Sequence, residues 1–131
     1  MATPSRTVKI PRNFEMVAWQ WMRYTGLLII PFVGLHVIIK DVMVGVFQIN
    51  LAYVAEKWAS LGWKTFDLLL LTLALTHGMN GLRQVLQDFI HGDTGRRVMT
   101  WVLLLIWLAV LIFGAVAIIQ GVPQHAVGGV Q

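Results

Sequence analysis

The chain contains no cysteine and little charge. Of its 131 residues, 12% are charged and 57% are hydrophobic, whereas soluble domains average about 25% charged and about 45–50% apolar residues. The lack of cysteine excludes disulfides, thiol catalysis, and zinc or iron–sulfur clusters held by cysteines of this chain. The shortage of charge excludes a water-soluble globular domain and indicates that lipid surrounds much of the chain.

Acidic residues are also few. Six Asp and Glu side chains stand against ten Lys and Arg, which gives a net charge of +4. In a membrane protein, this excess favours anchoring to anionic lipid over binding of nucleic acid. The basic N-terminal segment has no apolar core before Glu15, so the pattern of a cleaved signal peptide is missing. We expect the first apolar segment to stay in the mature chain.

Three long, mostly apolar segments predict an all-α membrane protein with three transmembrane helices in one domain, since a spanning helix needs roughly 20 residues. The predicted parts are a tail at 1–14, spans at 17–39, 63–89 and 98–119, and a second tail at 120–131. Trp19 and Trp21 near the start of the first span are typical of aromatic anchors at the membrane interface. Residues 91–95 are the predicted turn between the second and third spans.

The segment 42–60, between the first two spans, has a different pattern. Apolar side chains recur there every three or four positions, at Val44, Phe47, Leu51, Val54 and Trp58. Asn50, Glu56 and Lys57 lie off that stripe. The spacing predicts a short amphipathic helix in the membrane interface; the alternative is a loosely packed loop.

Basic residues near the span ends predict the orientation. One side carries Arg6, Lys9, Arg12, Arg96 and Arg97, and the other carries Lys40, Lys57 and Lys64. The C-terminal tail has no charge. By the positive-inside rule, this moderate excess favours a cytoplasmic N-terminus and an external C-terminus.

His77, near the middle of the second span, is the main candidate for chemistry. Gly81, Gln84 and Asp88 follow it at intervals of about one turn and share its helix face. An imidazole can ligate haem iron, and a glycine one turn away leaves room for the flat macrocycle. The pattern therefore predicts haem b ligated by His77 beside Gly81. The alternative is a histidine hydrogen-bonded between helices.

The other ionisable side chains within the spans are further candidates, because each costs roughly 2.5–3.5 kcal/mol to insert. His36 can ligate the same haem or a second one, or form an interhelical hydrogen bond. Arg83 lies about 120° from the His77 stripe and is expected to face haem propionates or lipid phosphate. Arg23 and Asp88, near the inner span ends, are expected to pair or, with Gln84, to hold a quinone headgroup and relay its protons; the alternative is snorkelling to the interface.

Two strings of the sequence are similar to a known family. Residues 77–89 read His-Gly-Met-Asn-Gly-Leu-Arg-Gln-Val-Leu-Gln-Asp-Phe, and residues 21–26 read Trp-Met-Arg-Tyr-Thr-Gly. The first resembles a pattern of His-x-x-x-Gly, Gln-Val-Leu and Asp-Tyr, and the second resembles Arg-x-Ser/Thr-Gly. Both patterns belong to the smaller hydrophobic membrane anchor of succinate dehydrogenase, the cytochrome b556 anchor family, which the chain resembles over roughly residues 15–120.

The resemblance implies an anchor subunit of the succinate dehydrogenase of the tricarboxylic acid cycle, without catalytic activity of its own. The implied partners are a flavoprotein, an iron–sulfur subunit and the larger anchor, a cytochrome b, which shares one or two haems b with this chain. His77 matches the family's haem ligand, and His36 matches the first-helix histidine of members with two haems. Arg23 and Asp88 match residues near the quinone pocket.

Phe89 departs from the family pattern, which often has a quinone-bonding tyrosine there. Phenylalanine cannot donate that hydrogen bond, so either the partner chains supply it or the quinone sits differently, with menaquinone as one candidate. The Asn-Gly-Leu-Arg string and the lack of a transit-peptide pattern favour a bacterial relative in the inner membrane. The remaining alternatives are a haem-free structural anchor and the anchor of a quinol:fumarate reductase or another quinone-linked complex.

Overall fold

The computed structural model describes residues 13–123, which form four α-helices and no strand. The helices are α1 (Phe14–Val37), α2 (Leu51–Ala59), α3 (Leu61–Phe89) and α4 (Asp93–Gln120). The predicted all-α class is thus confirmed for this part of the chain. The predicted tails at 1–14 and 120–131 lie mostly outside the described residues. Since α4 begins at Asp93, the turn is shorter than the predicted 91–95.

Among residues 13–123, two helical segments are long and apolar enough to cross a membrane, namely Phe14–Val44 and Asp93–Gln120. Exposed apolar side chains such as Ile30 and Phe113 run along them, as expected for helices surrounded by lipid or by partner helices. α3 has a similar length, at 29 residues, but its composition is too polar for it to count as a span. A third span therefore stays a prediction at this point.

Side chains and a glycine set the ends of α1 and the start of α2. The side chains of Asn13 and Asn50 accept hydrogen bonds from the backbone N–H groups of Met16 and Tyr53, both at 2.9 Å, which satisfies free donors of each first turn. After Val37, α1 continues as a wider π-helical segment, Ile38–Val44. That segment ends at Gly45, whose φ of +87° is a conformation that favours glycine.

α3 is the central helix, with α1, α2 and α4 packed against it. Small residues allow the close approach: a Cβ on Gly26 of α1 would lie 3.2 Å from His77 Cε1, and one on Gly114 of α4 would lie 2.7 Å from Leu71 Cδ2. Such small residues are characteristic of helix interfaces within membranes. The packing turns the polar face of α3 towards α1. The amphipathic location of α2 at an interface stays a prediction.

Candidate functional site

His77 of α3 is held against two consecutive residues of α1. Its Nδ1 lies 3.2 Å from Oγ1 of Thr25, and its Cε1 packs against the bare backbone of Gly26. Thr25 is only 2% exposed, so this contact is shielded from solvent and lipid. The ring's other nitrogen, Nε2, makes no hydrogen bond within residues 13–123. One nitrogen is thus held by α1, and the other has no partner among the described residues.

Gly81, one turn after His77, also faces α1. A Cβ at Gly81 would lie 2.9 Å from Cε of Met22, so in the isolated chain the space beside this glycine is filled by Met22. A macrocycle could use this space only if Met22 rotated away, which its flexible thioether side chain allows. The part predicted for Gly81 in haem binding stays a prediction.

Arg83, in the C-terminal half of α3, is buried and is bonded to α1. Its two terminal nitrogens donate to the two carboxylate oxygens of Glu15, at 2.8 and 2.9 Å, and its Nε donates to Asn80 Oδ1 at 3.3 Å. Asn80 Nδ2 in turn donates to the Ala18 carbonyl at 2.8 Å, and Gln87 Nε2 to Glu15 at 3.3 Å. Sequence reasoning did not single out Glu15. A contact of Arg83 with haem propionates stays a prediction.

Arg23, Gln84 and Asp88, the residues predicted to hold a quinone, are not joined to one another within this chain. The guanidinium of Arg23 lies 4.8 Å from the ring centre of Trp19, and among the ion pairs of residues 13–123 there is none between Arg23 and Asp88. Arg23 and Asp88 are exposed and Gln84 is half-buried. All three therefore remain accessible to a partner subunit, to lipid or to a quinone.

A cavity of about 250 Å³ lies between α1, α3 and α4. Met22, Asn80, Arg83 and Trp107 are among the residues that line it. Arg23, Gln84 and Asp88 do not line this cavity, so it is separate from the predicted quinone residues.

His36 occupies an environment unlike that of His77. Its ring stacks on Phe66 of α3 at 6.3 Å between ring centres, with an interplanar angle of 6°. Its Nδ1 is buried and has no hydrogen-bond partner among the described residues. Nor do the described residues contain a group of three or more His, Cys, Asp or Glu side chains that could hold a metal ion. The part predicted for His36 in haem ligation stays a prediction.

Asp67 of α3 was not anticipated from the sequence. Its Oδ2 accepts a hydrogen bond from Trp58 Nε1 of α2 at 2.8 Å, while its Oδ1 is buried without a partner in the described part of the chain. The sequence pattern places Trp58 only on an apolar stripe. The position of Asp67 within a predicted span could have indicated such a contact, since a carboxylate inside a span needs a partner.

Comparison with known proteins agrees with the helical arrangement. A family model described as succinate dehydrogenase/fumarate reductase transmembrane subunit matches residues 3–118, which include α1, α2, α3 and nearly all of α4. No curated protein matches the chain.

Proposed function

Because the chain belongs to the family of succinate dehydrogenase/fumarate reductase transmembrane subunits, we propose that it is an anchor of succinate dehydrogenase that binds haem b and contributes to a quinone site. The observation that carries this proposal is the state of His77, whose Nδ1 is paired with Thr25 while Nε2 is free of partners in the described residues. Histidines that ligate metals commonly have the other ring nitrogen fixed in this way.

We further propose that α3 is a third membrane span. Its polar side chains would oppose insertion if they faced lipid. His77, Asn80 and Arg83 are instead bonded to α1, and the charge of Arg83 is paired with that of Glu15. Because α1 satisfies these three groups, they do not oppose the insertion of α3 into the membrane. Three spans place the N-terminus and the C-terminus on opposite sides, with the N-terminus in the cytoplasm by the distribution of basic residues.

The haem would be held by His77 Nε2 and shared with the larger cytochrome b anchor. When bound, haem b would supply a one-electron carrier. This chain's own part is to hold the ligating nitrogen at a fixed place and to keep Nδ1 paired away from solvent. Ligation of a second haem by His36 is the alternative to a single haem.

Arg23, Gln84 and Asp88 are proposed to contribute to the quinone site at the inner ends of α1 and α3. The exposure of Arg23 and Asp88 supports this, since a guanidinium and a carboxylate can hydrogen-bond quinone oxygens and pass protons to them. Electrons would reach this site from succinate through the flavoprotein and the iron–sulfur subunit. The membrane is proposed to be the inner membrane of a bacterium.

The test is a His77→Ala variant of the intact complex, with His91→Ala as the control. His91 is exposed in the short turn between α3 and α4 and is not proposed to ligate haem. We expect His77→Ala to lose or shift the Soret band in the reduced-minus-oxidised spectrum and to lower the haem content per complex, whereas His91→Ala should match the unaltered protein. An unchanged spectrum and haem content in His77→Ala would favour the haem-free structural anchor instead.

The direction of the reaction is the remaining alternative, because the matching family includes subunits of both succinate dehydrogenase and fumarate reductase. Comparing the rate of succinate oxidation by quinone with the rate of fumarate reduction by quinol, in the same complex, separates the two. If fumarate reduction were much faster than succinate oxidation, the proposed direction, from succinate to quinone, would be wrong.

A further inference from the structure

The hydroxyl of Thr25 has a single proton, and its neighbours decide where that proton points. Oγ1 lies 2.7 Å from the carbonyl oxygen of Trp21 and 3.3 Å from that of Met22. A carbonyl oxygen can only accept a hydrogen bond. A separation of 2.7 Å without a proton between the two oxygens would be repulsive, so the proton of Thr25 lies towards Trp21.

The position of this proton determines the direction of the hydrogen bond between Thr25 and His77. With its proton directed at the backbone, Oγ1 can only accept from the imidazole, so Nδ1 of His77 carries a proton and donates it across the 3.2 Å contact. The neutral ring then has its lone pair on Nε2. Thr25 thereby selects the tautomer in which the nitrogen without a partner is the one able to bind iron.

Gly26 limits the position of the same ring from its Cε1 side. A Cβ there would lie 3.2 Å from Cε1 and 3.7 Å from Nδ1 of His77. The first distance is tighter than an ordinary van der Waals contact, so an alanine would push the ring by a few tenths of an ångström. The ring is thus held by a hydrogen bond to one residue of α1 and by close packing on the next.

We propose that Thr25 and Gly26 are positioning residues for haem, which set the tautomer and the orientation of the ligand His77. This inference rests on the proposed function, since it presumes that His77 ligates the iron. It assigns a role to the Thr-Gly pair that does not require either residue to touch the cofactor. Partners of this kind around metal-ligating histidines typically change metal affinity by about 10–100-fold when removed.

The test compares Thr25→Val, Thr25→Ser and His77→Ala in the purified complex. Valine keeps the shape of threonine but offers no acceptor to Nδ1–H. We expect haem affinity to fall by about 10–100-fold in Thr25→Val, the haem midpoint potential to rise because the ligand becomes less basic, and the g-values of the oxidised haem to change. Serine keeps the hydroxyl, so Thr25→Ser should have the haem affinity, midpoint potential and g-values of the unaltered complex.

Thr72→Val is the matched control. Thr72 of α3 also donates to a carbonyl four residues earlier, Leu68, at 2.8 Å, but it is exposed and bonds no histidine in the described residues. It should leave haem affinity, potential and g-values unchanged. Suppose that Thr25→Val also leaves haem affinity, potential and g-values unchanged while His77→Ala loses haem. The positioning role is then wrong and the proposed function stands. If His77→Ala keeps its haem, the proposed function itself fails.

Gly26→Ala tests the second half of the inference, and it remains informative if Thr25→Val prevents assembly. Gly34→Ala in the same helix is its control, because a Cβ at Gly34 would have no atom within 4 Å among the described residues, apart from its chain neighbours and the nearby backbone of its own helix. We expect Gly26→Ala to change the g-values and to lower haem affinity, and Gly34→Ala to change neither. Identical spectra and affinities for the two variants would overturn the role of Gly26.

Discussion

The carboxylate of Glu15 and the guanidinium of Arg83 form two parallel hydrogen bonds, at 2.8 and 2.9 Å. The side chain of Arg83 is 6% exposed and that of Glu15 is 55% exposed, so a buried cation is paired with a carboxylate that still reaches solvent. The pair joins the first turn of α1 to the C-terminal half of α3. It explains how a helix proposed to span the membrane carries an arginine within its packed face.

We expect Glu15→Gln to destabilise the subunit, because Arg83 would keep its buried charge and lose the opposite one. Leaving a buried charged donor poorly satisfied costs about 1–3 kcal/mol or more, and solvent screening of the half-exposed Glu15 places the effect at the lower end. The measurement is the shift in the unfolding midpoint of the detergent-solubilised complex.

Glu56→Gln is the matched control for this change. Glu56 pairs with its neighbour Lys57 at 3.3 Å, and its own side chain is 74% exposed, so its loss should have little effect. In the double variant Glu15→Leu, Arg83→Met, both charges are gone, and stability should recover relative to Glu15→Gln. A Glu15→Gln complex as stable as Glu56→Gln would show that the pair contributes nothing measurable.

The helices could be predicted from the sequence, but of their ends only Phe89, the last residue of α3, coincides with a predicted span boundary. Long apolar runs at helical spacing predict α1, α3 and α4, because hydropathy and length identify segments that lipid can surround. Hydropathy misses the first turn of a helix when that turn is polar. α4 begins at Asp93 rather than at the predicted residue 98, since Arg96 and Arg97 are helical without being apolar. α1 begins at Phe14 because of the Asn13 cap.

The candidate site was predictable only in part. His77 was identified because a polar group in the middle of an apolar segment is costly to insert into a membrane. That argument requires no knowledge of the fold. Its contact with Thr25 and the pairing of Arg83 with Glu15 join residues 52 and 68 positions apart. Such pairs depend on the rotation of α1 against α3, which periodicity does not specify. The Thr25-Gly26 pair stood in a family-like string, but nothing in the sequence connected it to His77.

We expect Trp58→Phe to loosen α2 from α3. The indole N–H of Trp58 is the hydrogen-bond partner of Asp67 Oδ2, and Oδ1 already has none in the described residues. Phenylalanine would leave the carboxylate without this donor, at a cost of about 1–3 kcal/mol. Hydrogen exchange of the backbone amides in α2 should become faster.

Trp101→Phe serves as the control for hydrogen exchange in α2. Trp101 lies on α4 and is exposed, and it forms no side-chain hydrogen bond within residues 13–123. Its replacement should leave exchange in α2 unchanged. Equal exchange rates in the Trp58 and Trp101 variants would mean that the bond to Asp67 does not hold α2 in place.

Gly114→Ala should weaken the packing of α4 on α3. Its Cβ would lie 2.7 Å from Leu71 Cδ2, and overpacking of this kind typically costs about 1–3 kcal/mol. Because the clash is with the end of one side chain, Leu71→Val should relieve it, and the double variant should be more stable than the sum of the single changes implies. Unfolding midpoints of the single and double variants measure this coupling. Strict additivity would exclude a direct contact.

The environment of His36 predicts the number of haems in the complex. A histidine that ligates metal usually has its second ring nitrogen bonded to an acceptor. Nδ1 of His77 has Thr25 in that position, whereas Nδ1 of His36 is buried without a partner among the described residues and its ring stacks on Phe66. We therefore expect haem content to be the same in His36→Leu as in the unaltered complex, at one haem per complex. If the unaltered complex holds two haems and His36→Leu holds one, the environment provided by Phe66 is sufficient for ligation and His36 is a second axial ligand.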